Sequence, residues 1–265
     1  MLFRLFILYC TLASTLLVMS QIQKCPFTEI STLSSPMYTS HVNRLVEYFN
    51  NLGCKLIVHQ LERDIKFGRH DKNENKFQGN GVKIASVLDH ISRLPSNSTF
   101  LWLDATVILP GGHFPSFELL DLLRDKDLVV AGESGKKKVN IGVLLMKKTV
   151  ATQKFFRKVL SKVNEGHWDQ GVASCLLNKK TKYRCKGISR FRDINYSFFP
   201  ASIVDVEGIF SNSECRLKTA KMRSLPGPWI IKLVGIKSLR DNCITNFDML
   251  NIENTKERLN IFAIH

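Results

Sequence analysis

Residues 100–109 read Phe-Leu-Trp-Leu-Asp-Ala-Thr-Val-Ile-Leu, a single carboxylate inside an otherwise apolar run. A short continuous apolar run bounded by turn residues is the pattern of a strand buried on both faces. Asp104 is the exception that makes the run informative. A buried carboxylate without a partner is too costly to keep, so it must emerge at a strand end, accept hydrogen bonds or meet a cation. In an α/β sheet the carboxyl ends of strands are where ligands sit. The plainer alternative is a carboxylate that caps the following turn.

Helical and strand-like patterns alternate outward from this run. On its N-terminal side, Val82, Ile84, Val87, Leu88 and Ile91 share one helical face, and Pro95-Ser96-Asn97 ends that helix. Before it lie a strand over 27–33, a helix over 41–51 stopped by Gly53, a strand over 54–58 and a polar, glycine-punctuated loop over 62–79. Downstream the pattern predicts a helix over 116–124, strands over 128–131 and 139–146, and a helix capped by Thr149 and running to Val163. A short helix over 168–177 follows, with strands over 201–206 and 229–234. The alternation predicts an α/β fold, a single Rossmann-like layered domain over 26–265 with a mostly parallel central sheet.

Residues 1–20 place Arg4 before an uncharged apolar run that ends in Val18 and Ser20, the layout of a secretory signal. The run from Leu5 to Met19 falls short of the roughly 20 residues that span a bilayer. Two readings stay open, a cleaved signal and a membrane anchor at residues 5–19, and both put the rest of the chain in a lumen or outside the cell. Beyond Cys10 there are six cysteines, Cys25, Cys54, Cys175, Cys185, Cys215 and Cys243, an even count that suits an oxidising compartment. No spacing among them suggests zinc. The triplets Asn97-Ser98-Thr99 and Asn195-Tyr196-Ser197 fit the same setting as glycosylation acceptors.

Arg4 is the only charged residue in the first 20, so without them the chain keeps 37 basic against 23 acidic side chains, a net charge of +14. Such a surplus favours anionic partners. The cations are dispersed and not interleaved with aromatics, which speaks against nucleic acid and for a nucleotide diphosphate or acidic glycan.

Four segments together carry a resemblance. Phe100 to Thr106 resembles the strand that bears the Asp-x-Asp motif of GT-A glycosyltransferases. Asn140-Ile141-Gly142-Val143-Leu144-Leu145 resembles the asparagine, glycine and hydrophobic strand that follow in those enzymes, and Trp168-Asp169-Gln170 their tryptophan, acid and glutamine. Ile230 to Lys237 resembles a closing strand with a histidine, a glycine and a lysine that hold the donor diphosphate and metal. The likeness spans roughly residues 80 to 240 and is nearest to the nucleotide-diphospho-sugar transferase and galactosyltransferase-like groups.

The resemblance implies transfer of a sugar from a nucleotide-diphosphate donor to a glycan, protein or lipid acceptor in the Golgi or endoplasmic reticulum lumen, or outside the cell. It implies that Lys83 approaches the donor, that Asp104 meets its ribose or metal-bound diphosphate, and that Asn140 and Gly142 border the sugar. Asp169 and Gln170 would act as the catalytic pair, with Thr106, Lys232, Gly235 and Lys237 lining the donor diphosphate. It also implies Mn²⁺ or Mg²⁺, with Asp104 as a ligand. Two departures oppose the metal, because the second aspartate is Thr106 and the histidine is Lys232. Hard cations prefer carboxylate oxygen, and an ammonium cannot coordinate. Lys232 helped by Lys237 offers positive charge in the metal's place, while loss of catalysis on a retained fold is the competing reading.

Other motifs carry little. Gly111-Gly112-His113 lacks the strand-to-helix setting of a phosphate loop, the lysines at 136–138 suit a solvated turn, and His59, His90 and His167 stand singly.

Overall fold

The computed structural model describes residues 25–62, 78–109, 116–133, 138–177, 185–200, 202–209 and 230–235. Its elements are β1 (Glu29–Ser34), α1 (Thr39–Asn51), β2 (Leu56–Gln60), α2 (Gln78–Arg93), β3 (Thr99–Leu103), β4 (Val107–Ile108), α3 (Ser116–Leu123) and β5 (Leu128–Glu133). They continue with β6 (Lys138–Lys147), α4 (Val150–Asn164), α5 (Asp169–Leu177), β7 (Tyr196–Phe198), β8 (Val204–Ile209) and β9 (Ile230–Gly235).

Six strands form a mixed sheet in the order β2-β1-β3-β6-β5-β7. The pairings β1–β2, β1–β3 and β5–β7 are parallel, and only β6 runs antiparallel to its neighbours, so the mostly parallel sheet expected from the alternation is what forms. Its central strands β3, β5 and β6 carry long apolar runs because both faces are covered. Phe100 and Trp102 face a core built with Ile84, Val87 and Ile91 of α2, Phe155 and Phe156 of α4, and Val172 of α5. Leu101 and Leu103 face the opposite core, with Leu45 and Phe49 of α1 and Leu119 and Leu123 of α3. The result is a three-layer α/β/α arrangement. Each of these fully buried side chains contributes about 1.5–3 kcal/mol of hydrophobic free energy.

Helix α4 starts at a reciprocal cap. Thr149 Oγ1 accepts from the Thr152 amide at 3.2 Å, and Thr152 Oγ1 accepts from the Thr149 amide at 2.9 Å. Two disulfides close local loops, Cys25–Cys54 and Cys175–Cys185; Cys215 and Cys243 lie outside the described residues, as does most of the loop expected over 62–79. Among the described residues no helix is long and apolar enough to cross a membrane.

Strand β7 lies where the sequence reading placed none, and the strand expected over 100–109 is divided. The run 100–109 is not one strand, because the chain turns at Asp104, where the Val107 amide donates to the Asp104 carbonyl at 3.0 Å. Its second part, β4, leaves the main sheet for a smaller one of order β4-β9-β8, in which β4–β9 is antiparallel and β8–β9 parallel. Strand β6 also departs from regularity. Its pairing with β5 jumps from Val130↔Leu144 to Ala131↔Asn140, so Ile141, Gly142 and Val143 bulge away from β5. The bulge flips the side-chain alternation: Val139 and Ile141 face the first core, but so do Leu144 and Met146.

Candidate functional site

The turn after β3 and the bulge of β6 meet each other. The Asp104 amide donates to the Gly142 carbonyl at 2.7 Å, which prolongs the β3–β6 ladder one step beyond the paired Leu103 and Val143. Gly142 has lost its β5 partner, and its amide donates instead to the Asn140 side-chain oxygen at 2.7 Å. Asn140 is 1% exposed, so that contact satisfies a buried donor that would otherwise be orphaned. Helix α5 is fastened alongside, since Ser174 Oγ accepts from the Val139 amide at 2.9 Å. Asp169 is the first residue of α5, where a carboxylate suits the positive end of the helix dipole, and its Oδ1 accepts from the Gln170 amide at 2.8 Å.

The Lys83 ammonium, carried by the second turn of α2, enters between the two carboxylates. Its Nζ lies 3.0 Å from Asp104 Oδ1, 3.3 Å from Asp104 Oδ2 and 3.8 Å from Asp169 Oδ2. Lys83 is 7% and Asp169 4% exposed, whereas the Asp104 side chain retains 22% and is the member that reaches solvent. The Trp102 indole N–H donates to Asp104 Oδ1 at 3.0 Å. Both orienting groups act on one carboxylate from the apolar side, which fixes its direction before any ligand arrives.

Of the residues singled out in the sequence, Lys83, Asp104, Asn140, Gly142, Asp169 and Gln170 thus come together through direct contacts or adjacent backbone. Thr106 is buried in the same turn at 6% exposure. Lys232 arrives from β9, whose antiparallel register sets it opposite Val107, the residue after Thr106, and Gly235 pairs with Ile209 of β8. Lys237 lies outside the described residues. Two contributors were missed by sequence reasoning. Trp102 stands two positions before Asp104 on the same strand face, a period-2 signal that was there to be used. His41, at the start of α1, donates Nε2–H to the Val107 carbonyl at 2.7 Å and so holds β4 in place, a contact with no local signal.

Two of the histidines that stand singly in the sequence meet in the fold, and His90 is packed against Phe100. His59 Nε2 meets His90 Nε2, and His90 Nδ1 meets the Glu29 carboxylate, between β2, α2 and β1. Burial first, then the charges of His90 and Arg93, hold His59 below the usual histidine range.

The donor set does not suit a hard divalent cation. Asp104 oxygens are already engaged by an ammonium and an indole N–H, Thr106 supplies no carboxylate, and an ammonium-bearing residue stands in register beside the turn. Among the described residues no group of three or more histidine, cysteine or acidic side chains is arranged to hold a metal ion.

No family model matches the chain, and no curated protein matches it. Solved structures do. One is a glycosyltransferase involved in the glycosylation of the major capsid of PBCV-1, at 16% identity over 81% of this chain and 98% of that one, with a TM-score of 0.49. A second is the galactosyltransferase LgtC in complex with donor and acceptor sugar analogs, at 10% identity over 85% and 96% of the two chains, TM-score 0.45. A third is mouse xyloside xylosyltransferase 1 in its apo form, at 10% identity over 77% and 96%, TM-score 0.40.

Proposed function

We propose that residues 26–265 form one GT-A glycosyltransferase domain, delivered to the secretory pathway by residues 1–20, which takes a nucleotide-diphosphate sugar without a divalent metal. The observation that carries this reading is the Lys83–Asp104–Asp169 cluster at the carboxyl end of β3, beside the register position of Lys232. A diphosphate is repelled by the two carboxylates of this cluster and attracted by its one ammonium. The donor therefore needs further cations, and Lys232 with Lys237 are our candidates. Preorganised ammonium groups in a water-poor site stabilise the negative charge that grows on a departing diphosphate.

In this reading Asp104 meets the donor ribose, Thr106 and Gly235 line the diphosphate, Asn140 and Gly142 border the sugar, and Gln170 faces it. The bond from the anomeric carbon to the diphosphate oxygen breaks with its electron pair on that oxygen, and the acceptor hydroxyl oxygen bonds to the same carbon. Asp169 is our candidate for the base that takes the acceptor's proton. The acceptor is a glycan, protein or lipid of the Golgi or endoplasmic reticulum lumen.

Thr106 and Lys232, in place of two metal ligands, also favour a second reading, a pocket that binds nucleotide or glycan and no longer catalyses transfer. Calorimetric titration of the chain with a panel of nucleoside diphosphates, with Mn²⁺ and then with chelator, tests the first. Binding that survives chelation and weakens in Lys232→Ala supports it, and an absolute need for Mn²⁺ refutes the role given to Lys232. Donor hydrolysis in the presence of chelator separates the transferase from the binding protein.

A further inference from the structure

Two Asn-x-Ser/Thr triplets lie outside the candidate site, and their asparagines stand in different surroundings. Asn97 occupies the turn between α2 and β3, closed by the Ser98 amide donating to the Pro95 carbonyl at 3.2 Å. It is exposed, and with φ of 62° it is the one non-glycine residue in the left-handed region among the described residues, a conformation asparagine tolerates better than most. Its main chain is tied down by the Asn97 amide donating to the Lys148 carbonyl at 3.0 Å. Its side chain makes no hydrogen bond among the described residues, and the residue is exposed on a backbone that is held in place.

Asn195 is built in. Its Nδ2 donates to the Asp125 carbonyl at 2.6 Å, its amide donates to Asp127 Oδ2 at 2.9 Å, and its carbonyl accepts from the Asp127 amide at 2.8 Å. The rest of its triplet is paired into the sheet, Tyr196 with Leu128 and Ser197 with Val129. Its side chain braces the turn before β5, and a sugar on Nδ2 competes with that brace.

We infer that Asn97 is the N-glycosylated asparagine of this chain and that Asn195 is left unmodified. The co-reactant is an oligosaccharide carried on a lipid diphosphate. Asn97 Nδ2 bonds to the anomeric carbon, the bond from that carbon to the diphosphate oxygen breaks with its electron pair on oxygen, and the amide gives up one proton. The strand β3 separates Asn97 from Asp104, five residues from Thr99 at about 3.3 Å each, or roughly 16 Å. The glycan therefore stands at the opposite end of the sheet from the candidate site and leaves its mouth open.

The inference rests on the secretory part of the proposed function and not on sugar transfer by this chain. The test is to express the full chain in a eukaryotic secretory host, release N-glycans enzymatically in heavy-oxygen water and map the labelled aspartates by peptide mass spectrometry. Label at position 97 and none at 195, with Asn97→Gln migrating like the deglycosylated chain, is the expected result. No label at 97, or any label at 195, overturns it. Nucleoside diphosphate titration of Asn97→Gln reports on the transferase reading separately, because the variant leaves that end of the sheet untouched.

Discussion

Replacing Lys83 with methionine removes the ammonium and keeps most of the side-chain volume. In the native protein that ammonium lies 3.0 Å from Asp104 and 3.8 Å from Asp169. At an effective dielectric of about 20 these contacts amount to roughly 5 and 4 kcal/mol of gross attraction. Most of this is offset by the desolvation of all three groups. The net effect of the substitution is instead set by what it leaves, two carboxylates close together, of which Asp169 is buried. Removing one member of a buried ion group costs about 3–5 kcal/mol, and the partial exposure of Asp104 puts the expectation near ~3 kcal/mol. Acid lessens the loss, because protonating either carboxylate removes the repulsion between them. Asp169→Asn added to Lys83→Met should recover about 1–2 kcal/mol, the signature of coupled neighbours. Urea unfolding of the native, single and double variants at neutral and acid pH measures all of this. A loss below about 1 kcal/mol that does not change with pH would refute the claim that the cluster is desolvated.

Trp102→Phe deletes the N–H donated to Asp104, a hydrogen bond to a charged group worth about 1.5–3 kcal/mol; denaturation should show that loss, and unchanged stability would mean the indole does not orient the carboxylate. Because His59 is held below its ordinary value of 6.5, the unfolded chain takes up a proton that the folded one resists. Stability is full above that value and falls as pH drops through it, with His90, Arg93 and Glu29 as the charged or titratable neighbours. The urea midpoint should therefore fall between about pH 7.5 and about pH 5.5, and less so in His59→Gln; equal falls in both would assign the effect elsewhere. The Cys25–Cys54 loop spans 29 residues and the Cys175–Cys185 loop 10, so paired alanine substitutions should cost about 3.6 and about 2.7 kcal/mol respectively in guanidinium unfolding. The reverse order would show that strain or residual structure outweighs loop entropy.

The α/β architecture was legible because every strand of the main sheet is flanked by a helix whose apolar positions repeat with the right period, as Val87 and Ile91 do in α2. The break at Asp104 was legible only in part, since the lone carboxylate pointed to a strand end or a following turn but the residues after it did not show where the chain goes. A strand buried on both faces and a strand–turn–strand buried in the same core are equally apolar, so Ala105, Val107 and Ile108 gave no sign that β4 leaves the sheet. The bulge at Ile141–Val143 was equally silent, since a flip in alternation has meaning only once the neighbouring strand is known. His59 and His90 are 31 positions apart and meet only through the packing of α2 on β1 and β2. Lys83 and Asp169 are separated by 86 positions, and no periodicity links them. They were singled out through resemblance, and their proximity is a property of the folded chain.

Strand β9 is inserted between β4 and β8, both of which precede it in the chain, while every strand of the main sheet is complete by Phe198. A polypeptide emerging N-terminus first can therefore close its three layers, and bring Lys83, Asp104 and Asp169 together, while Lys232 is still being synthesised. A nascent or clipped chain that stops short of residue 230 then lacks the middle strand of the β4-β9-β8 sheet, while the layers that hold the cluster are already closed. Strands β4 and β8 then have no strand between them, so closure of the small sheet becomes a record of whether translation was finished.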